Sequence, residues 1–149
     1  MVLHAKDLRK GRYSLQNSYY FITSTTFNRR PHFNSFFNAR VLIKQLQSSD
    51  LNNLTETIGF VVMPDHFHWL FQLKGDKTLS QVVGRVKGSS SKLLSPYVPQ
   101  KLWQAGYHDR CLRYDEDIKK LLRYTIANPL RANIVESISD YPHWDCIYV

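Results

Sequence analysis

Between Val61 and Leu73 the chain reads V-V-M-P-D-H-F-H-W-L-F-Q-L, and this stretch narrows the folds open to everything around it. Met63, Pro64 and Asp65 have the chemistry of a turn, and the residues after them alternate as a strand requires. Successive side chains of a strand point to opposite faces. Phe67, Trp69, Phe71 and Leu73 then form one apolar face that other elements have to cover. His66 and His68 stand together on the other face, with Leu70 and Gln72 further along. Two neighbouring imidazoles backed by aromatic side chains can serve as a metal platform. Taken alone, His-x-His is more often a pair of half-exposed histidines on the wet side of a sheet. A second region, Tyr124 to Asn128, shifts that weighting because it can supply a nucleophile and a third ligand.

A chain of 149 residues is long enough for one domain with a real core, read here as a single unit with a basic arm at 1–18 and a tail at 136–149. Hydrophobic residues make up 43%, including eight Phe, nine Tyr and three Trp, which argues against disorder. No apolar run reaches the ~18 residues that span a bilayer, and the N-terminus lacks a signal peptide's apolar stretch. A cytoplasmic protein is therefore expected. Cys111 and Cys146 are too few for a disulfide framework or a cysteine zinc site, and suit a reducing compartment. A formal charge of +8 on so small a domain favours nucleic acid or another anionic surface as partner.

Along the chain, Arg12 and its basic neighbours form an arm that could follow a phosphate backbone. Tyr19 to Thr26 is a strand by composition, broken by Asn28-Arg29-Arg30-Pro31, a second basic cluster. A helix capped by Asn34 or Ser35 runs to about Ser48, with Phe37, Leu42, Ile43 and Leu46 facing inward. Leu54 to Met63 is a second strand, joined through Pro64-Asp65 to the histidine strand. Thr78 and Gln81 have capping-box spacing, opening a helix to about Leu94 with Leu79, Val82, Val83 and Val86 inward. Its outer side shows Arg85, Lys87, Ser89, Ser90 and Lys92, a solvated face or a strip for phosphates. A fourth strand falls within Leu102 to Leu112, with Trp103 and Tyr107 packing on the sheet. Asp115-Glu116-Asp117 opens a third helix, where the dipole favours acid. Ile118, Leu121, Leu122, Thr125 and Ile126 share its apolar arc, and Pro129 ends or kinks it.

The first six elements fit a ferredoxin-like α+β fold: an antiparallel four-stranded sheet with two helices on one face. The histidines would look out from the open face, where the added C-terminal helix could dock with its tyrosine. Tyr124 and Asn128, four apart, lie at the edge of the apolar arc and on one side of that helix. Asn128 offers a neutral oxygen beside the two imidazoles, although Pro129 disturbs regular helix there.

Such a group suits nucleophilic attack on a phosphodiester. A phenol is a weak nucleophile near neutral pH because its pKa is ~10. A divalent cation would polarise phosphorus and offset transition-state charge, and mixed nitrogen and oxygen ligands suit Mn²⁺ well and Mg²⁺ acceptably. M-P-D-H-F-H-W-L (63–70), G-Y-H-D-R-C-L-R (106–113) and Y-T-I-A-N-P-L-R-A-N-I-V (124–135) resemble the signature blocks of REP-associated tyrosine transposases. These belong to the single-tyrosine HUH (His-hydrophobic-His) transposase superfamily. The blocks cover the middle and C-terminal half, and residues 1–60 resemble the family only loosely. The resemblance implies Tyr124 as nucleophile, His66, His68 and Asn128 as metal ligands, and Mg²⁺ or Mn²⁺ as cofactor. It implies a transposase-type endonuclease and strand transferase that cuts and rejoins single-stranded hairpin DNA through a 5′-phosphotyrosine. Arg12, Arg29, Arg30, Arg85, Lys87, Lys92 and Arg131 are the candidate DNA contacts, and a monomer or a homodimer fits equally. The stretch between the second helix and Trp103 is short for the family, and Asp109 and Arg113 take no assigned chemical step. Two other readings compete: a non-catalytic single-strand-binding sheet using Tyr19 or Tyr20 for base stacking, and an HUH nickase of the relaxase or replication-initiator kind.

Overall fold

The computed structural model describes residues 14–113 and 118–147. Arg12 and most of the basic arm, the acidic run at 115–117 and Tyr148 lie outside them. Strand β1 (Tyr19–Thr25) sits between β4 (His108–Leu112) and β3 (His66–Leu73), and β3 pairs in turn with β2 (Thr55–Met63). All these pairings are antiparallel, in the order β4-β1-β3-β2 expected of a ferredoxin-like sheet. The sheet has five strands rather than four. A short β5 (Trp144–Cys146) adds to the free edge of β2, within the stretch 136–149 that the sequence offers only as a tail. Met63 pairs with His66, so Pro64 and Asp65 alone make the hairpin turn.

The alternation in β3 is realised: Phe67, Trp69, Phe71 and Leu73 are fully buried on one face. Helices α1 (Phe36–Leu51) and α2 (Leu79–Leu94) cover that face. Ser35 caps α1 by accepting from the Asn38 amide, and Ala39, Leu42, Ile43 and Leu46 form its buried stripe at i, i+3, i+4, i+7. Phe37 is not part of that stripe. It lies in the first turn, half exposed, with its ring edge-on to Tyr97. Thr78 and Gln81 form the expected reciprocal capping box on α2. Each aliphatic side chain these helices bury contributes ~1.5–3 kcal/mol, so the stability of the scaffold sits mainly in this layer.

The fourth strand falls within Leu102 to Leu112 as expected, over its last residues, and Trp103 packs on the sheet against Phe67, with an isolated bridge to Thr26. One further expectation is corrected: the Trp103 indole donates to Ser90 Oγ at 3.0 Å, so Ser90 is buried on the inner side of α2 rather than on its outer face.

The opposite face carries a third layer. Helix α3 (Ile118–Ile126) lays Leu122 and Ile126 on Ile58, Leu70, Leu112 and Cys146. It stops at Ile126, before the Asn128-Pro129 pair, and a short turn of helix α4 (Asn128–Arg131) follows with Pro129 in its first turn. Among the described residues no helix is long and apolar enough to cross a membrane.

Candidate active site

The histidines project from β3 on the face that α3 shares, with ring centroids 4.9 Å apart and planes at 78°. Each ring is held at Nδ1. His66 Nδ1 lies 2.7 Å from Asp65 Oδ1, and since a carboxylate only accepts, the ring donates there. His68 Nδ1 lies 2.8 Å from Thr23 Oγ1, a contact set by the pairing of Thr23 with His68 across β1 and β3. Phe21 stacks on the His68 ring at 5.3 Å. With both Nδ1 atoms engaged, both Nε2 atoms remain to face a ligand. Burial, then the neighbouring His66 and Arg131, push the His68 pKa down to about 4, which keeps the imidazole neutral at physiological pH. A neutral imidazole is the form that ligates metal.

Asp65 is a site residue that sequence reasoning passes over as turn-forming. Besides His66 it meets Arg29 Nε at 3.5 Å, and its carbonyl accepts from the Thr26 amide and hydroxyl. This pattern of ring, carboxylate and guanidinium is the kind of support that orients a metal-binding histidine.

Tyr124 lies at the edge of the buried arc of α3, as its spacing suggests, and is 65% exposed. A structural tyrosine would be packed inward like its neighbours Thr125 and Ile126. The phenol ring instead carries the Arg131 guanidinium on its face, 3.7 Å from the centroid. Arg131 also donates to the Tyr124 carbonyl and to Asn128 Oδ1. Tyr124 and Asn128 therefore belong to different helices, yet one side chain ties them together. That same guanidinium lies near enough to His68 to depress its pKa, which relates the tyrosine segment to the histidine pair.

Among the described residues no three His, Cys, Asp or Glu side chains gather as a metal cluster. The Asn128 amide oxygen is the neutral donor that the sequence offers beside the two imidazoles. Two nitrogens and one oxygen, with room left for phosphate and water, fit Mn²⁺ or Mg²⁺.

Beside the histidines runs a groove of about 500 Å³, lined by Thr23, Thr25, Arg29, His108 and the loop 104–107. His108 pairs with Thr23, and Thr23 with His68, so the three side chains form a row across the open face. The sequence holds His108 within its second signature block, but only strand register reveals this alignment.

The candidate DNA contacts are dispersed. Arg29 and Arg30 are at the end of β1, with Arg29 on the groove, and Arg131 is at the tyrosine. Arg85 and Lys92 are exposed on α2, which covers the opposite face of the sheet. Lys87 turns its ammonium to the carbonyls of Gln104 and Gly106, at 2.9 and 2.6 Å, and so ties down the groove's loop. Tyr20 is buried, its hydroxyl accepting from the Leu15 amide, which removes it as a stacking platform for bases.

The structure resembles that of a REP-associated tyrosine transposase bound to a REP hairpin, with a TM-score of 0.77, 21% identity, and coverage of 97% of this chain and 82% of that one. A crystal structure of a protein from Deinococcus radiodurans assigned as a transposase gives 0.56 at 24% identity, over 80% and 95% of the two chains. In sequence, the chain is 26% identical over 100 residues to a protein of Haemophilus influenzae assigned as a REP-associated tyrosine transposase. That alignment covers 59% of this chain and 57% of the relative, so the chain matches little more than half of that protein's length. To the REP-associated tyrosine transposase of Escherichia coli it is 23% identical over 137 residues, 88% of this chain and 78% of that one. Residues 14–127, most of the chain, match the family model described as Transposase IS200 like, and the protein belongs to that family of IS200-like transposases.

Proposed function

We propose that this chain is a metal-dependent HUH endonuclease and strand transferase that cuts and rejoins single-stranded hairpin DNA through Tyr124. The observation that carries the reading is the Arg131 guanidinium, which touches Tyr124 and Asn128 and lies electrostatically close to His68. These contacts support a reading in which nucleophile, amide and imidazoles serve one site above the sheet.

His66, His68 and Asn128 would hold Mg²⁺ or Mn²⁺. When bound, the ion would polarise the scissile phosphate and offset charge in the transition state. Asp65 and Thr23 hold the two rings at Nδ1, which would leave Nε2 of each to the ion. The phenolic oxygen of Tyr124 attacks phosphorus and loses its proton. The P–O3′ bond breaks, and the leaving 3′-oxygen takes up a proton. A 5′-phosphotyrosine results. Attack on it by another 3′-hydroxyl restores a phosphodiester and the phenol, so strands rejoin with little change in bond energy. The basic surface, +8 overall, suits DNA as the substrate. The REP hairpin in the related structure points to a folded single strand as the natural form. A single domain acting in the cytoplasm, as monomer or homodimer, belongs to the same reading.

The test is a denaturing gel for a covalent adduct between protein and hairpin DNA with Mn²⁺, followed by mapping of the attached peptide. Tyr124→Phe is expected to abolish the adduct while binding survives. Cleavage that persists in this variant would reject the assignment.

A further inference from the structure

Arg131 makes more contacts in the site than a phosphate-binding arginine needs. Its fork bridges the last turn of α3 to Asn128, with one nitrogen on the Tyr124 carbonyl and the other on Asn128 Oδ1. The plane of the guanidinium covers the Tyr124 ring. Two of these contacts fall on groups that the proposed reaction needs in another role. Asn128 Oδ1 is the oxygen assigned to the cation. The phenol is the assigned nucleophile. The guanidinium also places a positive charge at the amide oxygen assigned to the cation, where a divalent ion would add two more. Like charges brought to one oxygen oppose each other.

A phosphodiester changes this balance. Arginine pairs with phosphate by two parallel hydrogen bonds, stronger than those it makes to neutral amide and carbonyl oxygens. A backbone phosphate arriving over the site offers the fork a better partner than Asn128 does. Once drawn to it, the guanidinium would leave the amide oxygen to the cation and uncover the phenol.

We infer that Arg131 is a positioning residue that couples cation binding to DNA binding, by holding Asn128 and Tyr124 until a phosphate takes its fork. The inference rests on the metal reading given above. Coupling of this kind is reciprocal, so DNA tightens the cation and the cation tightens DNA by the same factor. A mere C-terminal cap on α3 would produce no such linkage, since it would stabilise the helix whether or not DNA was present.

The experiment is Mn²⁺ titration, by calorimetry or by the loss of free-ion electron paramagnetic resonance signal, with and without a single-stranded hairpin oligonucleotide. A Tyr124→Phe background prevents turnover and keeps the ring under Arg131. With Arg131 intact, DNA is expected to tighten Mn²⁺ by a factor within the ~5–150-fold range usual for coupled sites. In Arg131→Ala, Mn²⁺ binds more tightly without DNA, and the DNA effect shrinks toward onefold. Arg131→Gln, which removes the charge but keeps length and polarity, is expected to move both values in the same direction and serves if the alanine variant unfolds. An unchanged or weaker DNA-free affinity in a folded variant, or an undiminished DNA effect, would overturn the coupling. His66→Ala with His68→Ala separates the two levels: Mn²⁺ binding that survives this pair overturns the metal reading itself, and the coupling with it.

Discussion

Gly59 and Leu122 approach so closely that a β-carbon on the glycine would fall 2.6 Å from the leucine's Cδ2, with the Asp145 carbonyl oxygen 3.1 Å away. The tyrosine helix is therefore seated in a notch on β2, next to the register shift between Thr57 and Gly59. Gly59→Ala is expected to push Leu122 outward, because the backbone oxygen closes the other side. Overpacking of this kind costs ~1–3 kcal/mol. The melting temperature should fall by several degrees, and adduct formation should fall further than hairpin binding if Tyr124 of α3 is the nucleophile, as proposed. An unaltered melting temperature and adduct yield would show that the notch has slack.

Asp65 offers a test of the histidine site that leaves both imidazoles in place. Removing a carboxylate behind a metal-bound histidine typically costs ~10–100-fold in affinity. Asp65→Ala is expected to weaken Mn²⁺ binding within that range. Asp65→Asn, whose amide oxygen can still accept from His66 Nδ1, should lose less. Equal titrations for all three proteins would reduce Asp65 to a turn residue.

Lys87 separates an anchor from a phosphate contact. A lysine on a phosphate adds about one unit to the steepness with which DNA affinity falls with salt. Its ammonium is committed to the Gln104 and Gly106 carbonyls, so Lys87→Met should leave that slope unchanged. The variant should instead speed amide hydrogen exchange in the loop 104–107. A slope reduced by about one unit would return Lys87 to the DNA contacts.

The parts of this architecture readable from the chain are those with a period. The alternation in F-H-W-L-F-Q-L and the i, i+3, i+4 stripes of the helices are set by burial, and burial recurs with the element's own geometry. The edge position of Tyr124 on α3 follows from the same rule and survives in the structure. Phe37 misleads because its apolar ring reads as core, although at ~100° per residue it stands opposite the stripe of Ala39, Leu42, Ile43 and Leu46. Strand β5 has three residues, too few for any period, and exists because the edge of β2 offers unpaired backbone groups. Thr23 behind His68 and His108 beside Thr23 depend on register between strands far apart in sequence, which no local spacing encodes. Arg131 stands three residues from Asn128, so its reach was available to helix geometry, but a basic residue near a nucleophile reads first as a phosphate contact.

Tyr141 fastens the C-terminal segment to the sheet and makes stability depend on alkaline pH. Its buried hydroxyl donates to the Val62 carbonyl, and the Val62 amide donates to the His143 carbonyl at 2.8 Å. Burial pushes its pKa up to about 12, against an ordinary value of 10.0. The folded protein therefore holds this proton more tightly than the unfolded chain does. The resulting stabilisation is present in full below pH ~10 and is lost progressively as pH rises towards the folded value. At ~1.4 kcal/mol per pKa unit, its size is at most on the order of 3 kcal/mol. Tyr20, also raised by burial, contributes to the same slope. Tyr141→Phe is expected to lose ~1 kcal/mol at neutral pH through the missing hydrogen bond. It should then lose less further stability than the unmodified protein as pH rises, with Tyr20 supplying what slope remains. Urea midpoints measured across the alkaline range would check this, and parallel curves for the two proteins would show that the phenol ionises as freely in the fold as out of it.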